Sequence, residues 1–191
     1  IGAGLIGAST AYALARRAEK VTILDMQDAP GKGASEANGG MLTPSMADPW
    51  NSPGVWRDLI RYYGRADAPM VLKTKALPSL AVWGLKFLAA ANDSQYWRAT
   101  ALNVRLGLFS LEVMEQWRRD ADLSYDGATR GTAKIYRDKQ AFRIGREKAE
   151  RMQALGVVFE PLSPEALCER QPALAAIRDD LAGAVYFPKD E

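Results

Sequence analysis

The stretch IGAGLIGASTAYALARRAEKVTILD (residues 1–25) decides how the rest of the chain is read. Gly2, Gly4 and Gly7 stand in the G-x-G-x-x-G spacing. There the first glycine makes a tight turn, the second lets the backbone approach a pyrophosphate, and the third lets a helix pack closely on a strand. The small apolar run over residues 5–17 predicts that helix, with Ala8, Ala11, Tyr12, Leu14 and Ala15 on its packing face. Its N-terminus would present unpaired N–H groups and a positive dipole end to an anion. The β-rich residues 20–25 predict the second strand, ending on Asp25, 21 residues beyond Gly4. A carboxylate at that distance suits ribose hydroxyls and repels a 2′-phosphate, which disfavours NADP.

Two departures from this pattern carry weight. The turn between helix and strand reads Arg17-Ala18-Glu19-Lys20. Glycine would end the helix there more easily in a left-handed conformation, so a local cost of about 1 kcal/mol is expected. Only Ile1 precedes Gly2, so the strand that should feed the bend is missing from the sequence. The chain is therefore expected to be a piece of a longer protein.

Composition narrows the remaining classes. The 191 residues carry 25 Lys and Arg against 23 Asp and Glu, a net charge of +2. That balance, with no basic block, gives no reason to expect a nucleic-acid partner. The absence of histidine excludes a Ser-His-Asp relay, a His-ligated metal and a histidine acid–base catalyst within these residues. The single cysteine, Cys168, can form neither an internal disulfide nor a zinc cluster, and is expected to pack as a small apolar group. No metal site is expected. The longest apolar run, residues 77–91, starts beside Pro78, contains Lys86 and falls short of the roughly 20 residues of a spanning helix. A soluble, cytoplasmic protein is expected, at most peripheral on the inner face of the membrane.

After Asp25, residues 28–54 read DAPGKGASEANGGMLTPSMADPWNSPG. Composition alone favours a turn-rich linker. The same stretch can also supply backbone N–H groups and small polar side chains, Ser35 and Asn38, to a long extended cofactor. Gly39 and Gly40 would then let the backbone pass close to a flat ring.

With IGAGLIGASTAYALA and VTILD, then ASEANGGMLTP (34–44), ADPWNSPG (47–54) and LAGAVYFPKDE (181–191), the chain resembles the FAD-dependent D-amino acid oxidase superfamily. Within it, the chain most resembles the bacterial D-amino acid dehydrogenase small-subunit family. The likeness covers nearly the whole chain and is most specific over residues 1–54. It implies FAD as cofactor, with Asp25, and Met26 beside it, at the adenosine ribose. It sets the backbone of Gly2, Ala3, Gly4, Leu5, Ile6 and Gly7 on the pyrophosphate. Ser35 and Asn38 would lie along the phosphate and ribityl portion, and Gly39, Gly40, Met41 and Leu42 near the flavin.

The implied reaction is oxidative deamination of D-amino acids to 2-oxo acids and ammonia, with electrons passing to a membrane quinone or another acceptor. In that family the cation for the substrate carboxylate comes chiefly from a later part of the chain, so no catalytic residue is nominated here. Glycine- or sarcosine-type amine oxidases of the same superfamily are the alternative, as is a truncated, non-catalytic nucleotide-binding piece.

Farther along, residues 53–64 predict a short helix with Val55, Leu59, Ile60 and Tyr63 on one side, and residues 77–91 predict another. Trp83, Lys86 and Phe87 could place that second segment on a bilayer surface. The aromatics Trp50, Trp56, Tyr62, Tyr63, Trp83, Tyr96 and Trp97 are expected to serve mostly as core packing. A long helix is predicted over 94–120 from the stripe Leu102, Leu106, Phe109, Val113 and Trp117. Strands are predicted at 131–138, 156–162 and 183–188, with helices over 139–155 and 163–170, the latter capped by Ser163 with Pro164 in its first turn. The expected fold class is α/β. Residues 1–45 form part of an FAD-binding Rossmann-like nucleotide domain that lacks its first strand. Residues 46–191 form a helical insertion and part of a mixed α+β substrate domain.

Overall fold

The computed structural model describes residues 1–65, 67 and 77–191. The chain divides into two compact units, Ile1–Met41 and Leu42–Glu191. The first is built around helix α1, Leu5–Ala15, which follows the glycine-rich bend. The helix ends in a Schellman arrangement: Ala18 N–H donates to Ala15 C=O at 3.0 Å and Glu19 N–H to Leu14 C=O at 3.3 Å. Ala18 takes the left-handed conformation, with φ +61°, so the strained terminator expected from the sequence is present.

The expected second strand at residues 20–25 is not formed. A strand is a pairing as well as a conformation, and among the described residues this stretch makes one backbone–backbone bond, Gly2 N–H to Leu24 C=O at 2.7 Å. The helix face also differs from expectation. Ala11 and Tyr12 are partly covered, while Ala8, Leu14 and Ala15 are exposed, because few residues of this unit lie against them.

The second unit holds helices α2 (Val55–Tyr62), α3 (Leu77–Ala89) and α4 (Asp93–Asp120). Then come β1 (Thr132–Tyr136), α5 (Lys139–Gln153), β2 (Glu160–Leu162), α6 (Pro164–Arg170) and β3 (Gly183–Phe187). A 3₁₀ segment, Pro172–Asp180, precedes β3. The strand expected over 156–162 shortens to β2, since only its last residues pair with β3.

The helix starts follow local chemistry. Asn92 accepts from Gln95 N–H at 3.1 Å, Asp138 from Ala141 N–H at 2.7 Å and Ser163 from Ala166 N–H at 3.2 Å. Each satisfies a donor that the first turn leaves free.

The three strands form an antiparallel sheet in the order β1-β3-β2, with Thr132 opposite Phe187 and Tyr136 opposite Gly183. β3 lies in the middle, and its run Gly-Ala-Val-Tyr-Phe is apolar on both sides because each side packs into a core. Val185 and Phe187 join Val104, Ala149, Met152 and Val157 in one core. Ala184 turns the other way, into a second core with Leu162, Leu167 and Leu181, where Cys168 packs at the edge.

α4 corrects the sequence reading most sharply. Its buried residues are Tyr96, Thr100 and Val104, whereas of the expected stripe Leu102, Leu106 and Phe109 are exposed and Val113 and Trp117 partly covered. The helix carries two apolar stripes of equal period, and periodicity alone cannot tell which one meets the sheet. The side that packs carries Gly107, whose missing side chain admits Pro44: a Cβ there would stand 3.2 Å from the Pro44 Cα.

On α2 the covered side is Val55, Leu59 and Tyr62, while Ile60 and Tyr63 face outward. Among the aromatics expected to fill the core, Trp50, Trp56, Tyr63 and Trp83 are exposed, Tyr96 is buried, and Tyr62 and Trp97 are partly covered. No helix among the described residues is long and apolar enough to cross a membrane.

Candidate nucleotide-binding site

The first unit's bend is held from three sides. Gly2 turns with φ +92°, a conformation that L side chains resist. Ala3, buried behind the bend, donates its N–H to Asp25 Oδ2 at 2.5 Å, and its C=O accepts from Gly31 N–H at 2.9 Å. The other carboxylate oxygen of Asp25 takes Gln27 N–H at 2.7 Å. These donors, Ala3 first, hold the Asp25 carboxyl below its ordinary value of 3.8. Asp25 thus fixes the bend as an ionised acceptor.

α1 then leaves the bend at very close range. A Cβ on Gly7 would stand 1.8 Å from the Gly2 carbonyl oxygen, so only glycine allows this packing. Ser35, at the end of the 3₁₀ turn Gly33–Ser35, approaches from the opposite side. Its Oγ accepts from Leu5 N–H at 2.9 Å, and a Cβ on Gly4 would come within 3.0 Å of that oxygen. Asn38 engages both ends of its side-chain amide with the backbone: Nδ2 donates to Ser35 C=O at 3.2 Å, and Oδ1 accepts from Gly40 N–H at 2.6 Å.

The N–H groups of Gly4, Ile6 and Gly7 find no acceptor among the described residues. They lie at the start of α1, where the helix dipole is positive. Together with the Ser35 hydroxyl hydrogen they make a built anion cradle of the kind a diphosphate fills. A cavity of 680 Å³ opens over them. Gly2, Gly4, Leu5, Ile6, Gly7, Ser35 and Asn38 line it, and Thr10, Leu14, Val21 and Ile23 continue it as a more apolar trough. The residues present therefore fit an extended nucleotide.

Not every expected site residue reaches this cavity. Ala3 and Asp25 support it from behind rather than lining it. Met26 is 93 % exposed and Met41 is also open to solvent, while Gly39 and Gly40 have free space around their Cα atoms. None of these four lines the cavity. Leu42 belongs to the second unit, where its N–H and C=O pair with the C=O and N–H of Glu191 at 2.6 and 3.0 Å. The sequence reading missed Gly31, whose bond to Ala3 closes the bend, and Thr10, the middle of an Ile6, Thr10, Leu14 row on α1 in which Ile6 was expected for its backbone and Leu14 as a packing residue. The i, i+4 spacing of that row was the available signal.

Comparison with known proteins agrees with this geometry. The DAO family of FAD-dependent oxidoreductases matches residues 1–191. The chain is 35% identical over its full length to the D-amino acid dehydrogenase of Paramagnetospirillum magneticum, covering 46% of that protein. It is 38% identical to D-amino acid dehydrogenase 2 of Ralstonia nicotianae, covering 45% of it. With the Dechloromonas aromatica D-amino acid dehydrogenase the identity is 34%, again over the whole chain and 46% of the relative. The chain thus spans about half the length of the curated relatives it matches. No solved structure matches it significantly. With the family matching from the glycine bend to the end of the sheet, the chain belongs to the DAO family of FAD-dependent oxidoreductases.

Proposed function

We propose that the chain is the FAD-gripping part of a flavoenzyme that oxidatively deaminates D-amino acids to 2-oxo acids and ammonia. The observation that carries this is the set of three unpartnered N–H groups, Gly4, Ile6 and Gly7, over a bend that Asp25 holds as an ionised acceptor. These groups and Ser35 would hold the pyrophosphate, and Asp25 and Met26 would stand at the adenosine ribose. Gly39, Gly40, Met41 and Leu42 would border the flavin, with Asn38 shaping the turn that carries the glycine pair. FAD, when bound, supplies a two-electron acceptor for the amine carbon; the protein supplies position and electrostatics.

The D-amino acid as substrate is taken from the relatives, which are D-amino acid dehydrogenases. Residues 46–191 would then contribute a helical insertion and part of the substrate domain. Electrons would leave to an acceptor such as a membrane quinone. The outward Leu80, Val82, Trp83 and Leu85 of α3 offer an apolar surface for a peripheral contact on the inner face of the membrane.

The test is a flavin spectrum on the full-length protein. It is expected to purify yellow, to release flavin on denaturation, and to bleach anaerobically with D-alanine. Bleaching by glycine or sarcosine alone would move it to the amine oxidases. A colourless protein that FAD cannot reconstitute would end the proposal.

A further inference from the structure

Asn38 is followed by glycine, whereas Asn51, Asn92 and Asn103 precede Ser52, Asp93 and Val104. Side-chain amides of asparagine are labile because the next residue's backbone nitrogen can close a five-membered ring on the amide carbon. A glycine nitrogen does so most readily, since no Cβ stands in its path.

The fold leaves this pair open. Asn38, Gly39 and Gly40 are exposed, and a Cβ built on Gly39 would meet nothing within 4 Å. The Gly39 N–H finds no acceptor among the described residues. Asn92 and Asn103, by contrast, stand at the cap of α4 and within it, where the backbone is held in helical bonds. At Asp126-Gly127 the Gly127 N–H is spent on Tyr125 C=O at 2.7 Å.

The bonds around Asn38 favour ring closure. Gly40 N–H donates to Oδ1 at 2.6 Å, the oxygen that turns negative as the ring forms. Nδ2, the leaving nitrogen, has Ser35 C=O as its partner at the longer distance of 3.2 Å. The pair also sits where a new charge matters. Asn38 lines the same cavity as Gly4, Ile6, Gly7 and Ser35, all within the unit Ile1–Met41.

We propose that Asn38 is a site of spontaneous deamidation, and that its conversion puts a carboxylate into the wall of the anion cradle and weakens it. The Gly39 nitrogen gives its proton to solvent and bonds to Asn38 Cγ; the Cγ–Nδ2 bond breaks, and ammonia leaves with a proton taken back from solvent. Water then opens the succinimide. Attack at Cγ gives aspartate, and attack at the former backbone carbonyl carbon gives isoaspartate, whose main chain runs through Cβ and Cγ. In both products the Nδ2 donor to Ser35 C=O is gone and a negative charge stands beside the N–H groups that would hold a diphosphate. The weaker grip on FAD rests on the proposed function; the chemistry at Asn38 does not.

The test holds the full-length protein, freed of FAD, at mildly alkaline pH, folded and unfolded, and maps its peptides by mass with isoaspartyl methyltransferase labelling. Asn38 is expected to convert in the folded protein at least as fast as in the unfolded chain, and about tenfold or more faster than Asn51, Asn92 or Asn103. Gly39→Ala, whose Cβ has open space, should slow the conversion about tenfold in a folded protein. Asn38→Asp should bind FAD about tenfold more weakly than unconverted wild type, with the gap narrowing at high salt. The converted fraction of aged wild type, separated by ion exchange, should show the same loss, which covers a variant that fails to fold. An amide that survives in the folded protein while the unfolded chain converts overturns the inference, as does a converted protein that binds FAD as tightly as the fresh one. Fresh wild-type protein that binds no FAD removes the proposed function instead, and the peptide map still decides the chemistry at Asn38.

Discussion

Gly7 and Gly2 touch so closely that a single methyl group on Gly7 would overlap the Gly2 carbonyl, at 1.8 Å from its oxygen. That contact sets the angle at which α1 leaves the bend, and with it the aim of the Gly4, Ile6 and Gly7 N–H groups. Gly7→Ala must push the helix off the bend, at a cost of about 3 kcal/mol or more. In the full-length protein, flavin content after gel filtration should fall to near zero. Gly4→Val, which meets Ser35 Oγ, should act in the same direction. Undiminished flavin in both variants would contradict the cradle.

Ala18 ends α1 at φ +61° while its N–H and that of Glu19 close the Schellman bonds. Ala18→Gly keeps those bonds and removes the strain on Cβ, so it should raise stability by about 0.5–1 kcal/mol. Urea unfolding read in the far ultraviolet tests this; a lower midpoint would show that the turn does not hold this conformation in solution.

Asp25 is held below 3.8 chiefly by Ala3 N–H and then by Gln27 N–H. A depressed carboxyl stabilises the fold above its unfolded value, and that contribution drains away as pH falls from 3.8 through the lowered one. A carbon-detected NMR titration should give an Asp25 midpoint below 3.8, with the Ala3 amide resonance moving in step. Asp25→Asn should abolish that movement. A midpoint at or above 3.8 would mean the bend is not tied to the carboxylate.

Lys134 and Lys148 should act oppositely in alkali. Burial, helped by nearby Lys148, lowers Lys134 against the pull of Asp48 and Asp190. Burial also works on Lys148, but its hydrogen bonds to Asp48 and Tyr96 outweigh this and raise it. The protonated Lys134 is a cost that is relieved as pH climbs from its lowered value to 10.5. The Lys148 contribution is intact below 10.5 and lost above it. Chemical unfolding across this range should therefore show Lys134→Met losing a rise below 10.5, and Lys148→Met losing a fall above it. The same pH dependence in wild type and both variants would refute the assignment.

Much of the site was written in local sequence, and the reason is geometric. A left-handed turn at Gly2 and a contact that excludes any Cβ at Gly7 can be met only by glycine, so the requirement is visible residue by residue. The cap at Ser163 is legible for the same reason, since donor and acceptor lie three residues apart; Asn92 and Asp138 cap at the same spacing but were not picked out from the sequence. The sequence leads to an expectation of Asp25 at a ribose, but not to its bond with Ala3, because that bond spans 22 residues.

The amino-acid order by itself determined the bend, the helix after it and the apolar run that became the central strand. Only the tertiary structure decided which stripe of α4 is buried, since Val104 and Leu106 lie on helix faces of equal period and one of them meets the sheet. It also decided that Lys134, Ser45 and Asp190 converge, from three segments with no local pattern in common. Short-range sterics are a property of neighbours in sequence. Burial and charge compensation belong to neighbours in space.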